Sequence, residues 1–447
     1  MESFKIIVVS PFSPRYSSIA SIRWELLCKY LSKKYNVSLI TSKFLDKRIE
    51  RSFSLGNTEL VEVPIKWSLK NIYSYSRESF ERREKNENII SLVLKFIKFF
   101  IPSKIRSEFY FLLERIFPIT PEGIAYQNIK LYKSEIEKRL SKQGKNILIT
   151  SYGPWFTLKL GKYFKNKYKD IIWIADFRDP SFNSVHHEVS KAFFFKFQTK
   201  NILKKVDLIT VVSKKMKEDY ESITPKKVYF LPNGYDGELF SIEKLKSKIT
   251  KSRGFLTICY TGSLNAKTQN ISYFIDALEM ACRIDTNINF AFNYAGFQFD
   301  LVEKEFSKRN LGSLLNNHGM LTRDEALNLQ SVSDVLLLVV YTGENPEEGK
   351  SIRTGKVYEY LATDKPILVI GPKNWEMRDE IECDGVSKVF EKNQTNEMAD
   401  YIIELANKEK IEINIQKRKE VLERYLYRNL ATELEKEIEN LLKQKEW

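Results

Sequence analysis

The stretch KIIVVSPFSPRYSSIASIRWELLCKYLSKKYNVSLIT, residues 5–41, carries the reading of the fold. KIIVVS (5–10) is apolar without alternation, as a strand buried on both faces must be. SIRWELLCKYLSKKY (21–35) changes to a helical period, and NVSLIT (36–41) returns to a short β-branched run. A helix between two such strands joins them as parallel neighbours. The unit recurs outward at NILIT (146–150), DIIWIAD (170–176), DLITVVS (207–213) and KVYFLP (227–232). It lapses over PNGYDGELFSIEKLKSK (232–248), where turn residues and lysines show no period. It restarts at FLTICYTGSL (255–264), NFAFNYAG (289–296), DVLLLVVY (334–341) and KPILVIG (365–371). The expected architecture is α/β: two tandem doubly wound, Rossmann-like domains facing across a cleft. Their expected bounds are 1–240 and 255–415, with a linker near 240–254. A C-terminal helical segment is expected over 416–447, with one long helix over 411–444 closing the chain.

The chain has 447 residues, more than one hydrophobic core usually organises, which agrees with two domains. Cys28, Cys259, Cys282 and Cys383 lie far apart with no CxxC pair, so neither a disulfide nor a zinc framework is expected. Three histidines, two of them adjacent, exclude an HExxH site, and no Asp-x-Asp tripeptide offers the usual bridge between a metal and a diphosphate. No apolar run approaches the ~20 residues of a membrane span, and the N-terminal run is too short for a signal peptide. Neither a metal nor a cofactor is expected, and the compartment is expected to be reducing and cytoplasmic.

Charge is uneven. Residues 1–250 hold 46 Lys and Arg against 26 Asp and Glu, whereas 251–447 hold 26 against 32. The basic half is expected to meet something anionic. IISLVLKFIKFFIPSKIRSEFYFLLERIF (89–117) and KAFFFKFQTK (191–200) mix aromatics with lysines and are expected to lie on an anionic membrane surface, with amphipathic core helices as the other reading. Nucleic acid is not expected, because the other half is acidic and no basic-aromatic motif appears.

Ligands in open α/β sheets bind beyond the carboxyl ends of strands. In KSIRTGKVYEYLATDKPILVIG (350–371), Thr354 is placed to cap a helix and Gly355 to admit a ligand to the backbone. Arg353 and Lys356 would add countercharge there, and Glu359, one turn on, would hold hydroxyl groups. YTGSLNAKTQN (260–270) offers Gly262, Ser263 and Lys267 at a second strand-to-helix turn. TGENPEEGKSI (342–352) resembles a P-loop, but its glycines are one residue too far apart and it carries two glutamates, so an exposed loop is expected. In the first half, Asp176, Arg178 and Asp179 follow a buried strand, and Arg15, Tyr16, Ser17 and Arg23 follow the first one. His186 is read as an acceptor-side or surface residue.

These segments together resemble family 4 retaining glycosyltransferases of the GT-B fold, nearly end to end. TGKVYEYLATDKPILVI (354–370) is similar to the family's K-x-x-E-Y-L-A-x-x-K-P segment, and NHGMLTRDEALNLQSVSDVLLLV (317–339) to the loop, helix and strand before it. The segment from Lys204 to Phe240 resembles the end of an acceptor domain with an NG-[YF]-D hinge, and ADFRDP (175–180) resembles a motif of a bacterial surface-polysaccharide subgroup.

The resemblance implies sugar transfer from a nucleotide-sugar to a lipid-linked or polysaccharide acceptor, at the inner face of the plasma membrane. The donor would lie on Gly262, Ser263, Lys267, Arg353, Thr354, Gly355 and Glu359, with Gly319, Met320 and Leu321 lining the base. Lys356 and Asp179 would be catalytic. Arg15, Tyr16, Ser17, Arg23, Asp176, Arg178 and His186 would meet the acceptor, and the last helix would pack back toward the N-terminal domain. The chain departs from the family in four places: Ser263 stands where an Arg is common, Ser351 where the first of two glutamates is usual, Ser181 where a Trp is usual, and Ser17-Ser18 where the first loop is usually glycine-rich. A nucleotide-sugar 2-epimerase and a catalytically inactive scaffold on the same fold are the alternatives.

Overall fold

The computed structural model describes residues 4–16, 18–43, 52–64, 129–142, 144–153, 155–182, 189–238 and 252–444, with the backbone alone for 189–195. The first sheet contains β1 (Lys5–Val9), β2 (Asn36–Lys43), β3 (Glu59–Pro64), β4 (Asn146–Tyr152), β5 (Ile172–Phe177), β6 (Leu208–Val211) and β7 (Val228–Phe230). The spatial order is β3-β2-β1-β4-β5-β6-β7, and every pairing is parallel. One face is covered by α1 (Ile19–Leu31). The other is covered by α2 (Ile129–Arg139), α3 (Phe156–Lys167), α4 (Val189–Leu203) and α5 (Lys214–Glu221), whose apolar residues share one core.

The second sheet has the order β10-β9-β8-β11-β12-β13, again all parallel. Its strands are β8 (Phe255–Thr261), β9 (Asn289–Ala295), β10 (Leu315–Asn317), β11 (Val335–Val339), β12 (Ile367–Ile370) and β13 (Lys388–Phe390). Between and after them come α6 (Ser272–Ile284), α7 (Phe299–Ser307), α8 (Arg323–Val332), α9 (Pro346–Gly349), α10 (Gly355–Leu361), α11 (Arg378–Glu382), α12 (Thr395–Asn407), α13 (Ile415–Glu423) and α14 (Tyr427–Gln444).

The ten strands expected from sequence are present, and β3, β10 and β13 are added. All three are sheet edges, where a strand needs only one neighbour and the apolar run can be short. The long helix expected over 411–444 is two helices. It breaks because Tyr425 O accepts from Tyr235 N (3.0 Å) and Tyr427 N donates to Tyr235 O (3.2 Å), so the chain passes extended between them. Val421 and Leu422 of α13 pack with the second domain, whereas Leu430, Leu434, Ile438 and Leu442 of α14 pack with Trp24, Leu27 and Leu31 of α1. The last helix therefore returns to the N-terminal domain. The linker expected over 240–254 falls mostly outside the described residues, as do 89–117, Ser17 and His186.

Both chain crossings lie side by side, and Gly234 is required there: a Cβ would come within 2.1 Å of Tyr425 O. Arg23 holds the first crossing. Its side chain is fully buried, with Nη1 donating to Pro232 O (2.7 Å) and Asn233 Oδ1 (3.3 Å), and Nη2 to Leu231 O (3.0 Å) and Asp176 Oδ1 (2.8 Å). Asp176, equally buried, also accepts from Trp24 Nε1 (3.0 Å), Ser151 Oγ (2.9 Å) and Thr210 Oγ1 (2.8 Å). Removing one partner strands the other charge in the interior, which costs about 3–5 kcal/mol. Asp176→Ala is thus expected to lower unfolding free energy by roughly that amount in a urea titration. A loss under ~1 kcal/mol would mean that the network is dispensable.

Candidate functional site

Two turns singled out in the sequence meet at the carboxyl end of the second sheet. After β8 the chain turns through Gly262, whose φ of +108° suits glycine, and whose N–H donates to Ala295 O at 2.7 Å. Lys356, in the first turn of α10, reaches over this turn. Its Nζ lies 2.7 Å from Tyr260 Oη, 4.1 Å from the centre of the Tyr260 ring, and 3.2 Å from where a Cβ on residue 262 would stand. Tyr260 Oη donates onward to Ser263 O at 2.9 Å, so it meets Lys356 as an acceptor. Tyr360, on the same short helix, accepts from Thr261 N at 3.3 Å and completes the docking of α10 on β8.

Burial pulls the Lys356 ammonium down from its usual range to about 7, with Glu359 alone pushing back. Thr354 precedes the helix in extended conformation, as expected of a cap, but its hydroxyl bonds no first-turn amide. Thr354 Oγ1 is buried without a partner among the described residues. An ammonium over the Gly262 turn can meet an anion that approaches the backbone there.

Glu359 is held by Arg323 Nη2 at 3.0 Å. Arg323 opens α8, directly after the loop that contains Gly319, Met320 and Leu321, so this pair brings that loop to α10. Gly319 has φ +64° and donates to Asn317 Oδ1 at 2.8 Å, and Met320 is 54% exposed. Lys267 is exposed on the turn after Gly262, with its N–H on Asn265 Oδ1 at 3.0 Å.

Arg353 does not join Lys356 over the Gly262 turn. Its side chain is 1% exposed and turns into the seam between the domains, against Glu376 (3.1 Å) and over the Phe230 ring. The same seam brings Gly355 to the N-terminal domain, where a Cβ on it would lie 2.7 Å from Ile19 Cδ1. The start of α10 thus faces the start of α1.

On the N-terminal side, Arg178 and Asp179 stand at the carboxyl end of β5. They are paired at 2.7 Å, with Arg178 over the Phe12 ring at 4.7 Å and against Gly153. Asp179 keeps 59% of its side chain exposed. Arg23 and Asp176, expected at the acceptor, are interior instead, because each satisfies the other and the chain crossing. Arg15 is drawn aside by Glu62 on β3 at 2.9 Å, and Tyr16 O accepts from Ser21 Oγ at 2.6 Å, holding the first loop to α1.

The segment resembling a P-loop forms the single-turn helix α9, capped by Asn345, with Glu347 and Glu348 exposed. An open depression of about 510 Å³ between Lys373, Arg378, Lys388 and Gln394 shares no lining residue with the anion site. Among the described residues no three His, Cys, Asp or Glu side chains gather as metal ligands. Sequence reasoning missed Tyr260 and Arg323. The first is legible in part, since a residue two before a turn glycine shares its side of the strand; the second depends on a contact spanning 36 residues.

No protein-family model matches the chain, and no curated protein matches it. Solved structures do. Sucrose-phosphate synthase of Thermosynechococcus elongatus aligns with 99% of this chain and 100% of its own, at 13% identity and a TM-score of 0.62. A glycosyltransferase from Rickettsia africae aligns over 99% of both chains, at 14% identity and a TM-score of 0.59. HepE of Anabaena, solved with UDP and glucose, aligns over 98% of this chain and 99% of its own, at 11% identity and a TM-score of 0.57. At such identities the likeness is one of fold: the chain has the two-domain GT-B architecture, matched from end to end.

Proposed function

We propose that this protein transfers a sugar from a nucleotide-sugar donor to a lipid-linked or polysaccharide acceptor, with retention of anomeric configuration. The observation that supports this best is Lys356, a cation short of countercharge poised over Gly262 beside the unmatched Thr354 hydroxyl. A diphosphate leaving group needs such a place, because negative charge grows on it as the bond to the sugar breaks. In this reading the bond from the anomeric carbon to the phosphate oxygen breaks while the acceptor oxygen bonds to that carbon. The acceptor proton passes to the departing diphosphate. Lys356 and Lys267 meet the charge, Glu359 takes ribose hydroxyls from its place beside Arg323, and Gly319–Leu321 line the base. Asp179 and Arg178 face the acceptor. A UDP and glucose complex of the fold-neighbour HepE makes uridine donors the first to test.

The N-terminal domain supplies a surface for an anionic membrane that carries the acceptor. Residues 129–170 hold eleven Lys and Arg against three Asp and Glu, and residues 189–203 hold no acidic residue. On α4, Phe197 is 60% exposed beside exposed Lys196 and Lys200. Among the described residues no helix is long and apolar enough to cross a membrane, so contact would be peripheral.

A titration of UDP-, GDP-, ADP- and dTDP-sugars is expected to show saturable binding of one class, weakened in Glu359→Ala. Absence of binding to all four would favour the inactive scaffold, with Ser263 and Ser351 as the missing contacts. With a working acceptor, Lys356→Ala is expected to lower turnover about 10²–10³-fold while the circular dichroism spectrum is kept.

The depressed Lys356 gives a second test. At pH 8.5 a group titrating near 7 is mostly neutral. A diphosphate beside it raises its pKa, so the Lys356 amine should take up a proton from solution when UDP binds. Calorimetry in buffers of different ionisation enthalpy is expected to show that uptake in the wild type and its loss in Lys356→Met; equal uptake in both would sink the assignment.

For the membrane, co-sedimentation is expected with phosphatidylglycerol vesicles and not with phosphatidylcholine. Exchanging Lys196 and Lys200 for Glu and Phe197 for Ala should weaken it. Indifference to these changes would place the contact elsewhere or nowhere.

A further inference from the structure

Glu376 belongs to the C-terminal domain, six residues beyond β12, yet its carboxylate reaches across the seam. Oε1 accepts from Lys215 N at 2.7 Å and Oε2 from Lys214 N at 3.0 Å, the first amides of α5 in the N-terminal domain. Ser213 Oγ takes the next amide, Met216 N, at 3.1 Å. Three N–H groups that a helix start leaves unpaired are thus satisfied, two of them by the other domain. The positive end of α5 also favours the carboxylate where it lies.

The other side of the carboxylate faces the donor side. Arg353 Nε and Nη2 both approach Oε2 at 3.1 Å, and the pair is nearly dry, with side chains 1% and 5% exposed. The Phe230 ring, from β7 of the N-terminal domain, lies 5.0 Å from the guanidinium. Two further bonds tie the same loop to the segment before α10: Glu376 N to Lys350 O at 3.0 Å, and Trp375 Nε1 to Ile352 O at 2.8 Å. Arg353 adjoins Thr354, which opens the helix carrying Lys356.

We infer that Glu376 is a cross-domain positioning residue: it holds segment 350–354, and so the start of α10, in place only while α5 of the opposite domain supplies its amides. Parting of the domains would leave the carboxylate with Arg353 alone and α5 with two bare amides. The anion site is therefore complete in the apposed arrangement and slackens out of it. The consequence for donor binding rests on the glycosyl-transfer reading, whereas the clamp itself does not.

Hydrogen exchange on the full-length protein, resolved to single amides by fragmentation mass spectrometry, tests both. In the wild type the amides of Lys214, Lys215 and Val357 (whose N–H donates to Thr354 O at 3.2 Å) should be protected. Glu376→Ala is expected to speed all three about tenfold or more, leaving Met216 and β8 unchanged. Glu376→Gln, which keeps one acceptor oxygen, should fall between and serves if the alanine variant does not fold. UDP should slow Lys214 and Lys215 further in the wild type, and bind Glu376→Ala about tenfold more weakly. Equal exchange of Lys214 and Lys215 in wild type and variants would overturn the clamp. Loss of their protection with Val357 unchanged would overturn its link to α10. A wild type that keeps the exchange pattern but does not bind UDP would support the clamp and count against a uridine donor.

Discussion

The two domains are joined twice, and the first join depends on Arg23, whose side chain is fully buried. Its five N–H groups are taken by Asp176, the carbonyls of Leu231 and Pro232, and the side chain of Asn233. A guanidinium is suited to this because it is planar, permanently charged and weakly hydrated. Leu231 and Pro232 lead out of the first sheet, so the charge that stabilises α1 against β5 also sets where the chain departs for the second domain. Tyr235, three residues on, bonds the returning chain at Tyr425 and Tyr427. From there α14 closes on α1, and Lys34 and Tyr35 meet Glu439 at its edge.

That arrangement decides what can face what. With the crossings pinned, the starts of α1 and α10 come into contact at Ile19 and Gly355. The carboxyl ends of both sheets then border one cleft, as parallel sheets with helical crossovers require of a ligand site. The second sheet brings the Gly262 turn to it, with Lys356 held over that turn by Tyr260. The first contributes Arg178 and Asp179. A second buried pair, Arg418 with Asp384, does for the C-terminal domain what Arg23 does for the first: Arg418 also binds Thr363 O and Lys365 O, fixing the end of α10.

Much of this was legible in one dimension. Buried parallel strands are apolar without alternation, so β1, β4, β5 and β11 announce themselves, whereas the edge strand β3 mixes glutamates with its apolar residues and β10 and β13 are only three residues long. The turn at Gly262 and the helix opening at Thr354 were both visible as small residues after a strand or before a helical period. Arg353 and Lys356 were not distinguishable in that way. Both are cations flanking Thr354, and only the helix direction sends Lys356 over Gly262 while Arg353 falls into the seam. Arg23 and Asp176 were misplaced for a related reason: a charge at the end of an apolar strand reads as facing a cleft, unless its partner is known to lie 153 residues away.

The sequence by itself determined the parallel α/β class, the two-domain division and the turn and helix start at Gly262 and Thr354. All of these follow from short-range pattern: apolar runs, helical period, capping residues and glycines. The tertiary structure decided which charges are paired in the interior and which are left without a carboxylate partner. Burial and long-range pairing settle that, and neither has a period. Arg23, Arg353 and Lys356 are three cations that the sequence assigned to the same cleft, and what separates them is the carboxylate each can reach. Asp176 and Glu376 neutralise the first two, and Tyr260 offers the third a dipole but no charge.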